Sequence, residues 1–551
     1  DQFNARFGPA PADVSRAIAA LKASGFRIGS VDMQMIHAIA PYATVERVFG
    51  TRLVARRTSA GMRLMSRGAY HLPAALAALH PTIMGLGPHY PARPASARSK
   101  FQPVSSSASR ANPNNRYTAY GSYYADDMKQ AYDFPSGAVY NGAGHNIVIV
   151  GAANESPTDF AAYFSHEKFC TGAGCLAPEP SITDVNAGGC AFNDSGCDPS
   201  GGYSFEANLD AQQAAGMAPG AAVYDVSVIN DIGTFFAVYS YLASINVADV
   251  VTTSYGLCEL VYTAPYNGGV DETGTLTAGH SIFAQLMAQG TTVIFSSGDS
   301  AGLNCPEVAY FTGGPGNNYM NVASTGIWVD DPAVTGVGGT NLKTNTGGTL
   351  DSTYVAENAV ADYEGGMVDP YGTGNTVSNN FWGSGGGFSV VFAEPSFQSA
   401  DGLSLSGRGV PDIAMHMGGC PTGAADCNTA VPPYPAGLFD SSDIENFAGS
   451  RYGAIGTSAA APDFAGWVAD ADQAIGGRLG NPDVFLYQLD AFNSIVHSLN
   501  QGIPSFNGVN VYTGTGWNPV VGVGTPKLDA LLSFAGISVA PAGIPQTASN
   551  P

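Results

Sequence analysis

Asn146-Ile147-Val148-Ile149-Val150 is the stretch that decides the fold. Its four consecutive β-branched side chains are typical of a strand that is buried on both faces. Similar apolar runs recur downstream, separated by helical patterns. The further strands are predicted at 222–228, 250–254 and 292–296, and the helices at 205–216, 235–244 and 281–289. This alternation predicts an α/β domain whose parallel sheet has helices on both faces, with catalytic groups at the carboxyl ends of the strands.

Residues 1–90 have a different character and are predicted to form a small mixed α/β domain. Helices and strands alternate here at short intervals. The predicted elements are a helix from about 14 to 25, strands at 26–31 and 33–39, a helix at 43–49 and strands at 53–57 and 62–66. We interpret this segment as an accessory domain.

The remaining boundaries follow from composition. Residues 91–115 are rich in Pro, Ala, Ser, Arg and Asn, which is typical of a linker and of a cleavage zone. We therefore expect the main domain at 116–539, followed by a loose tail at 540–551. The sequence begins at Asp1 without methionine, and we interpret the chain as processed or trimmed there.

Charge is distributed unevenly along the 551 residues. Residues 1–100 hold 13 Lys and Arg against 4 Asp and Glu, whereas the remaining 451 hold 9 against 40. Two oppositely charged parts suggest that one docks on the other. The scarcity of cations in the main domain argues against nucleic-acid binding and suits an acidic medium, where many carboxylates are neutral. No apolar run of about 18 residues is present, so we expect no membrane span.

All eight cysteines follow residue 169. Their spacing suggests local pairs, Cys170–Cys175, Cys190–Cys197 and Cys420–Cys427, which leaves Cys258 and Cys305. Eight cysteines allow 105 connectivities, and some could instead be buried thiols. None forms a CxxC motif, so zinc is disfavoured and an oxidising, extracellular location is favoured.

Gly456-Thr457-Ser458-Ala459-Ala460-Ala461-Pro462 is the candidate nucleophile motif. A serine at a glycine-led turn, followed by small residues that open a helix, leaves room for a substrate backbone. The start of the helix also offers N–H groups to an oxyanion. By itself this pattern is equally compatible with a turn that caps an apolar helix.

Histidine is the usual base for such a serine, but the chain offers none in a suitable setting. His145, His166, His280, His416 and His497 follow the linker, and each is interpreted as a surface or core residue. A Ser-His-Asp triad is therefore disfavoured.

Two carboxylates are the better candidates for the base. Glu206 and Asp210 are four residues apart on a predicted helix, so they lie on one face and resist ionising together. Such a pair can hold a single proton at acidic pH and activate a serine there. A solvated helix face is the alternative. In addition, Asp299 follows the predicted strand 292–296, where a protonated carboxyl could donate to an oxyanion, or could simply form an Asx-turn.

Taken together, these segments resemble the sedolisin family, also called serine-carboxyl peptidases. The resemblance covers nearly the whole chain. It rests on Glu206 to Asp210, on Ser297-Gly298-Asp299-Ser300 and on the Ser458 motif, with supporting stretches at 337–340, 385–389, 408–412 and 522–526. Residues 1 to about 90 resemble the family's activation domain, with its usual first portion missing.

The resemblance implies a subtilisin-like α/β catalytic domain behind a small ferredoxin-like α/β prodomain. It also implies that Ser458 attacks the peptide carbonyl, that Glu206 is general base and then acid, and that Asp210 supports Glu206. Asp299 would stabilise the oxyanion. Ser254-Tyr255-Gly256 falls where the related subtilisin fold pairs a strand with the substrate backbone.

Two departures from the family pattern concern calcium, and a third lies beside the nucleophile. The family's calcium site draws on an Asp-Ile pair and on the aspartate of Gly-Trp-Asp-Pro, whereas this chain has Ser494-Ile495 and Asn518. Calcium prefers anionic oxygens, so weak or absent calcium binding is expected and no metal ligand is assigned. Ile455 replaces the usual serine before Gly456, which affects packing rather than the hydroxyl of Ser458.

The sequence thus predicts a secreted acid serine-carboxyl endopeptidase that is made as a zymogen. Its expected partners are protein and peptide substrates and its own prodomain, acting as an intramolecular inhibitor. We expect a monomer that uses no cofactor. The alternatives are a tripeptidyl-peptidase-type exopeptidase of the same family and a non-catalytic secreted binding or surface protein on the same scaffold.

Overall fold

A computed structural model describes thirteen ranges of the chain. These are residues 2–32, 35–58, 61–87, 92–94, 121–134, 140–167, 180–345, 352–359, 362–368, 370–419, 441–490, 496–497 and 516–534. The predicted pairs Cys170–Cys175 and Cys420–Cys427, the dipeptide Ser494-Ile495 and the tail at 540–551 lie outside the described residues.

The N-terminal segment forms the small α/β domain that the sequence predicts. Its core is apolar and includes Phe26, Phe49 and Leu76. Strands β1 and β2 pair antiparallel, as do β3 and β4. The elements are α1 (Gln2–Phe7), α2 (Pro11–Ala23), β1 (Arg27–Val31), β2 (Ile36–Ile39), α3 (Tyr42–Phe49), β3 (Leu53–Thr58), β4 (Gly61–Ser66), α4 (Ala74–Ala77) and β5 (Arg93–Pro94).

The second part of the chain begins with α5 (Ala125–Ala131). It is built on an eight-stranded sheet. The strand order is β16-β15-β11-β9-β6-β8-β7, and β21 pairs with β15. Every pairing is parallel except β15 with β16. The strands are β6 (Asn146–Gly151), β7 (Ser181–Ala187), β8 (Ala222–Val228), β9 (Val250–Thr253), β11 (Thr292–Ser296), β15 (Thr335–Thr344), β16 (Tyr354–Asn358) and β21 (Ile413–His416).

Helices cover both faces of this sheet, as the sequence predicts. Ile147 and Ile149 point into the apolar cluster that holds α7 (Gly202–Met217) and α12 (Thr457–Ile475). Val148 and Val150 point into the opposite cluster, with α8 (Ile232–Ile245) and α9 (Thr273–Ala288). Because successive side chains of a strand face opposite sides, the uninterrupted apolar run is explained by burial on both faces.

The remaining elements are short and lie around this framework. They are α6 (Pro157–Glu167), β10 (Tyr255–Gly256), β12 (Cys305–Pro306), α10 (Val308–Thr312), β13 (Asn318–Tyr319), β14 (Asn321–Val322), β17 (Asp362–Val368), β18 (Thr376–Trp382), β19 (Gly387–Phe388), α11 (Ser396–Ala400), β20 (Gly409–Val410), β22 (Asp443–Phe447), β23 (Ser450–Ala454), α13 (Asp483–Asp490), β24 (Val496–His497), β25 (Thr525–Pro526) and α14 (Leu528–Phe534).

Two disulfides bond the cysteines of the described ranges. Cys190 pairs with Cys197, as the spacing predicts, and the two cysteines left over by that analysis, Cys258 and Cys305, pair with each other. Within these ranges, no helix is long and apolar enough to cross a lipid bilayer.

The N-terminal domain contacts the main domain directly. The hydroxyl of Tyr70 donates a 3.3 Å hydrogen bond to Glu272, and Met35 and Met84 pack against the apolar cluster around α8 and α9. A side chain on Gly87 would press on the Glu272 carboxyl group. The contact therefore combines apolar packing with a hydrogen bond.

Candidate active site

Ser458 lies in the first turn of α12, two residues after a glycine whose backbone conformation disfavours any other residue. Gly456 has φ 145° and ψ 158°, a positive-φ region that side chains rarely adopt. Ser458 is fully buried, and its Oγ has no hydrogen-bond partner among the described residues. The turn thus presents a serine hydroxyl that is not engaged by a histidine in the described part of the chain.

Glu206 and Asp210 lie one turn apart on α7, which is buried along almost its whole length. The start of this helix is anchored by Asp198, which accepts hydrogen bonds from the backbone N–H (2.9 Å) and the hydroxyl (3.1 Å) of Ser204. Asp198 directly follows the Cys190–Cys197 disulfide. The sequence prediction that the two carboxyls share a helix is correct, but the alternative of a solvated face is wrong because both are buried.

The environment of Asp210 favours its protonated form. Burial raises the pKa of Asp210 well above its usual range, and the neighbouring Glu206 raises it further. A 2.7 Å hydrogen bond that Oδ1 accepts from the hydroxyl of Ser254 opposes this shift. The pair can therefore retain a proton where an exposed aspartate would have lost it.

The helix of Ser458 packs against the helix of the two carboxyls. Ala459, the residue after the serine, lies in one buried apolar cluster with Phe205 and Leu209, which flank Glu206 on α7. The fold thereby brings the nucleophile motif and the carboxyl pair to the same place, although Ser458 and Asp210 are 248 positions apart in the sequence.

Asp299 is fastened to the residue immediately before the serine. Its Oδ1 accepts hydrogen bonds from both the backbone N–H and the hydroxyl of Thr457, each 2.8 Å long. The same hydroxyl accepts a 3.1 Å hydrogen bond from the N–H of Gly298. The turn at the end of β11 is thus tied to the start of α12, which places Asp299 beside Ser458.

A glycine-rich stretch closes over this turn. The N–H of Gly385 donates to the carbonyl of Gly298, and a Cβ atom at Gly385 would collide with the carbonyl oxygen of Ser297. At Gly386, a Cβ atom would collide with the carbonyl oxygen of Pro519. Glycine is required at both positions because the backbone of the Asp299 turn approaches Gly385 closely and the backbone of Pro519 approaches Gly386.

Ser254, Tyr255 and Gly256 follow strand β9 at its carboxyl end. Strand β10 pairs antiparallel with β5, so that Tyr255 lies opposite Pro94 and Gly256 opposite Arg93. Burial, and then the charge of Glu206, raise the pKa of Tyr255. A segment that joins the two domains therefore runs alongside the candidate site.

Glu445 on β22 is a carboxyl that the sequence analysis missed. It is fully buried, and neither of its oxygens has a hydrogen-bond partner in the described ranges. Burial raises its pKa well above the usual range, and the charges of Glu206 and Asp159 add to that effect. Strand β22 lies on α7 through a 2.8 Å hydrogen bond from Gln212 to the carbonyl of Asn446. Nothing in the alternating pattern of residues 443–447 distinguishes Glu445 from a solvent-facing strand residue.

Three of the histidines are engaged elsewhere, as expected. His416 is buried, and its Nδ1 accepts a 3.0 Å hydrogen bond from the N–H of Leu342. Burial lowers its pKa to about 3. His280 pairs with Asp331 at 2.8 Å, and His497 stacks on Tyr354.

Asn518 does not resemble a calcium ligand. Its Oδ1 accepts hydrogen bonds from the N–H groups of Val520 and Val521, both 3.1 Å long, within a turn. An amide oxygen that already serves two backbone donors is a poor ligand for a cation that prefers carboxylates. The described ranges contain no group of three or more His, Cys, Asp or Glu side chains arranged for a metal ion.

Comparison with known proteins shows which peptidases this chain is similar to. The model for "Pro-kumamolisin, activation domain" matches residues 1–87. Sedolisin from Pseudomonas sp. (strain 101) is 24% identical over 547 residues, covering 97% of this chain and 80% of the relative. Kumamolisin from Bacillus sp. (strain MN-32) is 28% identical over 520 residues, covering 90% and 78%.

A solved structure confirms the fold. Pseudomonas sedolisin, a serine-carboxyl proteinase complexed with two molecules of pseudo-iodotyrostatin, aligns with a TM-score of 0.57 at 23% identity. The alignment covers 75% of this chain and 98% of that chain. The molecule is thus a subtilisin-like α/β peptidase with an N-terminal activation domain. Over most of its length it is similar to sedolisin and kumamolisin, which are serine-carboxyl peptidases and hence hydrolases.

The buried carboxyls make a prediction about stability. Glu155 is 1% exposed, and burial, followed by the charges of Asp184 and Asp225, raises its pKa to about 9. An unfolded glutamate has a pKa near 4.3, so below that pH Glu155 is protonated in both the folded and the unfolded state. The free energy of unfolding is then not reduced by this group. As the pH rises towards 9, stability is lost because the unfolded glutamate ionises while the buried one stays protonated. Between pH 4 and pH 7 the free energy of unfolding should therefore fall, and Glu155→Gln should remove about 3 kcal/mol of that fall.

Urea unfolding at the two pH values measures this effect. Asp271→Asn is the control, because Asp271 is exposed and hydrogen bonds from Thr273 lower its pKa. That variant should lose as much stability as the wild type between pH 4 and pH 7. A Glu155→Gln chain that behaves like the control would show that Glu155 is not a buried neutral acid.

Proposed function

We propose that this peptidase is an endopeptidase of acidic media that cleaves peptide bonds through an acyl-enzyme on Ser458. The observation that carries the proposal is the Glu206–Asp210 pair, which is buried against the helix of Ser458 and is disposed to hold a proton. In this scheme Glu206 is the general base and then the general acid, Asp210 supports it, and Asp299 stabilises the oxyanion.

The first half of the reaction transfers the acyl group to the enzyme. Ser458 Oγ attacks the carbonyl carbon, and its proton passes to Glu206 as the C–O bond forms. The negative charge on the substrate oxygen is stabilised by a hydrogen bond donated by the protonated carboxyl group of Asp299, which Thr457 holds in place. Collapse breaks the C–N bond, and Glu206 gives its proton to the departing amine.

The second half regenerates the enzyme. Water attacks the ester carbonyl, Glu206 accepts the proton of that water, and the oxyanion is again stabilised by Asp299. Collapse breaks the ester C–O bond, and the proton returns from Glu206 to Ser458 Oγ. Because Glu206 must start ionised while Asp299 must be protonated, the scheme operates in the acidic range, where carboxyl groups titrate.

Ser254, Tyr255 and Gly256 are proposed to bind the substrate backbone. The pairing of β5 with β10 supports this role, because a segment of the chain already forms an antiparallel ladder there. The sequence continues on both sides of that segment, which favours cleavage within a polypeptide over release of short N-terminal peptides. The same observation supports the prodomain as an intramolecular inhibitor, with a prodomain at 1–90, a linker at 91–115 that carries the maturation cut, and the catalytic domain at 116–539.

Two further properties are proposed. Secretion is supported by the two disulfides and the cation-poor main domain, and fractionation of a producing culture into cells and medium tests it. Weak or absent calcium binding at the family's site is supported by the occupied amide of Asn518. If calcium binding is weak or absent, adding calcium should leave the unfolding midpoint unchanged.

The catalytic assignment predicts large losses of activity. Ser458→Ala, Glu206→Gln and Asp210→Asn should each lower kcat/KM for a protein substrate at acidic pH by about 10³-fold or more, and Asp299→Asn by about 10²-fold. Ser399→Ala, on the exposed face of α11, is the matched control and should be fully active. A Ser458→Ala chain that still hydrolyses protein would refute the assignment.

The endopeptidase assignment is tested with blocked substrates. An internally quenched peptide with an acetylated N-terminus should be cleaved as fast, within about twofold, as the same peptide with a free amine, because an endopeptidase does not need to bind a terminal amine. The tripeptidyl-peptidase alternative requires a free N-terminus and predicts that only the unblocked peptide is cleaved. The non-catalytic alternative predicts that neither is cleaved.

A further inference from the structure

The segment Ala92–Pro94 lies where the proposed function places a substrate. Gly256 pairs with Arg93 and Tyr255 with Pro94, and the preceding Ser254 bonds to the catalytic candidate Asp210. An antiparallel ladder is how an extended peptide binds to an exposed strand edge, with its side chains entering pockets on the receiving protein. The surroundings of these residues therefore show which side chains the groove accepts.

Ala92 occupies a small, enclosed position. It is 4% exposed and belongs to the apolar cluster that includes Tyr255 and Ile232. Its carbonyl accepts a 2.7 Å hydrogen bond from the side-chain amide of Asn230, which is itself buried. Because a single methyl group is already enclosed, a larger side chain would have to displace its neighbours.

Arg93 lies on an aromatic face. Its guanidinium carbon is 4.6 Å from the ring centroid of Tyr371. The ring is held firmly: the backbone N–H of Tyr371 donates a 2.9 Å hydrogen bond to the hydroxyl of Tyr310, and the ring packs against Phe311 at 5.3 Å. A cation over a fixed tyrosine face is attracted by the electron density of the ring.

An aromatic face is a suitable cation-binding group for an enzyme of acidic media. A carboxylate that recognises arginine loses its charge when it is protonated, so its selectivity fades as the pH falls. The ring of Tyr371 has no charge to lose, because tyrosine ionises only near pH 10. Selectivity for arginine by this route therefore persists where carboxylate recognition fails.

We infer that the groove formed by Tyr255–Gly256, Asn230 and Tyr371 is a specificity site that selects peptides with a small residue followed directly by arginine. This inference rests on the proposed function of the same cleft. It goes beyond that function by assigning Tyr371 to the arginine side chain and Asn230 to the carbonyl of the small residue. Tyr371 touches neither the scissile bond nor the carboxyl pair in this scheme, so it sets specificity rather than chemistry.

Digestion of a peptide library tests the assignment of the groove to a small residue followed by arginine. The test does not require that the position of the scissile bond relative to the groove is known. Mature enzyme and a peptide mixture derived from a proteome are incubated at acidic pH, and the cut sites are aligned by mass spectrometry. At one fixed position relative to the cut, arginine should be enriched by about threefold or more over its frequency in the library. Alanine, glycine or serine should be enriched at the residue immediately before it.

Variants of Tyr371 distinguish a role of its ring in arginine recognition from a role in the stability of the fold. Tyr371→Leu should abolish the arginine enrichment while the small-residue preference remains, and Tyr371→Phe should retain both because it keeps the aromatic face. Tyr241→Leu is the matched control, since Tyr241 is 54% exposed on α8, and its profile should equal that of the wild type.

The inference and the proposed function fail in different ways. A wild-type enzyme that digests the library with no arginine preference, or a Tyr371→Leu enzyme that keeps the preference, would overturn the inference and leave the function standing. Should Tyr371→Leu not fold, quenched peptides that differ only by Arg or Gln at this position decide the matter on the wild type, where equal kcat/KM contradicts the inference. Wild-type cleavage no greater than that of Ser458→Ala would overturn both.

Discussion

The position of Glu206 and Asp210 constrains their ionisation. They lie one helical turn apart inside the protein, where two neighbouring negative charges are energetically unfavourable. Burial and mutual repulsion push the second proton loss to higher pH. A hydrogen bond from Ser254 to Asp210 links the pair to the residue that precedes β10, the strand that pairs with the interdomain segment. The chemistry proposed for Ser458, the substrate groove and the acidic working range all depend on this one pair.

Burial also raises the pKa of other carboxyl groups in the main domain. Burial raises the pKa of Asp225, Asp470 and Asp472 to about 8, and that of Glu155 to about 9. At low pH such groups are neutral and behave as polar side chains, whereas near neutrality they become charges in a medium of low dielectric constant. The protein therefore uses acidic side chains as core components, and its scarcity of cations in the main domain is consistent with that use.

Much of the fold could be predicted because burial on both faces leaves a clear signal. The strand β6 was recognisable as an uninterrupted apolar run, and β8 and β11 as largely apolar ones. The helices α7 and α8 differ from the predictions by a few residues at their ends, where capping decides the boundary, whereas α9 begins eight residues before the predicted start at 281. The candidate catalytic residues were recognisable because each lies in a short motif. Their roles came from a family resemblance, since neither Glu206 nor Asp299 is distinguished by its spacing alone.

Long-range contacts were beyond the reach of the sequence. Glu445 reads as an ordinary strand residue, and only the packing of β22 on α7 shows that it is buried beside Glu206. Likewise, the ladder between β5 and β10 joins residues about 160 positions apart, and the contact of Arg93 with Tyr371 depends on that register. The pairing of Cys258 with Cys305 was left open because it depends on two loops meeting in space.

The central claim is that the base for Ser458 is a carboxyl pair and not a histidine. The pH dependence of kcat/KM for a neutral peptide substrate tests it most directly, because this profile reports the pKa values of the essential groups in the free enzyme. We expect a bell-shaped curve whose maximum lies in the acidic range, with activity falling before pH 7 is reached. Activity that instead rises through pH 6.5 to a neutral or alkaline plateau, as a histidine base requires, would contradict the account.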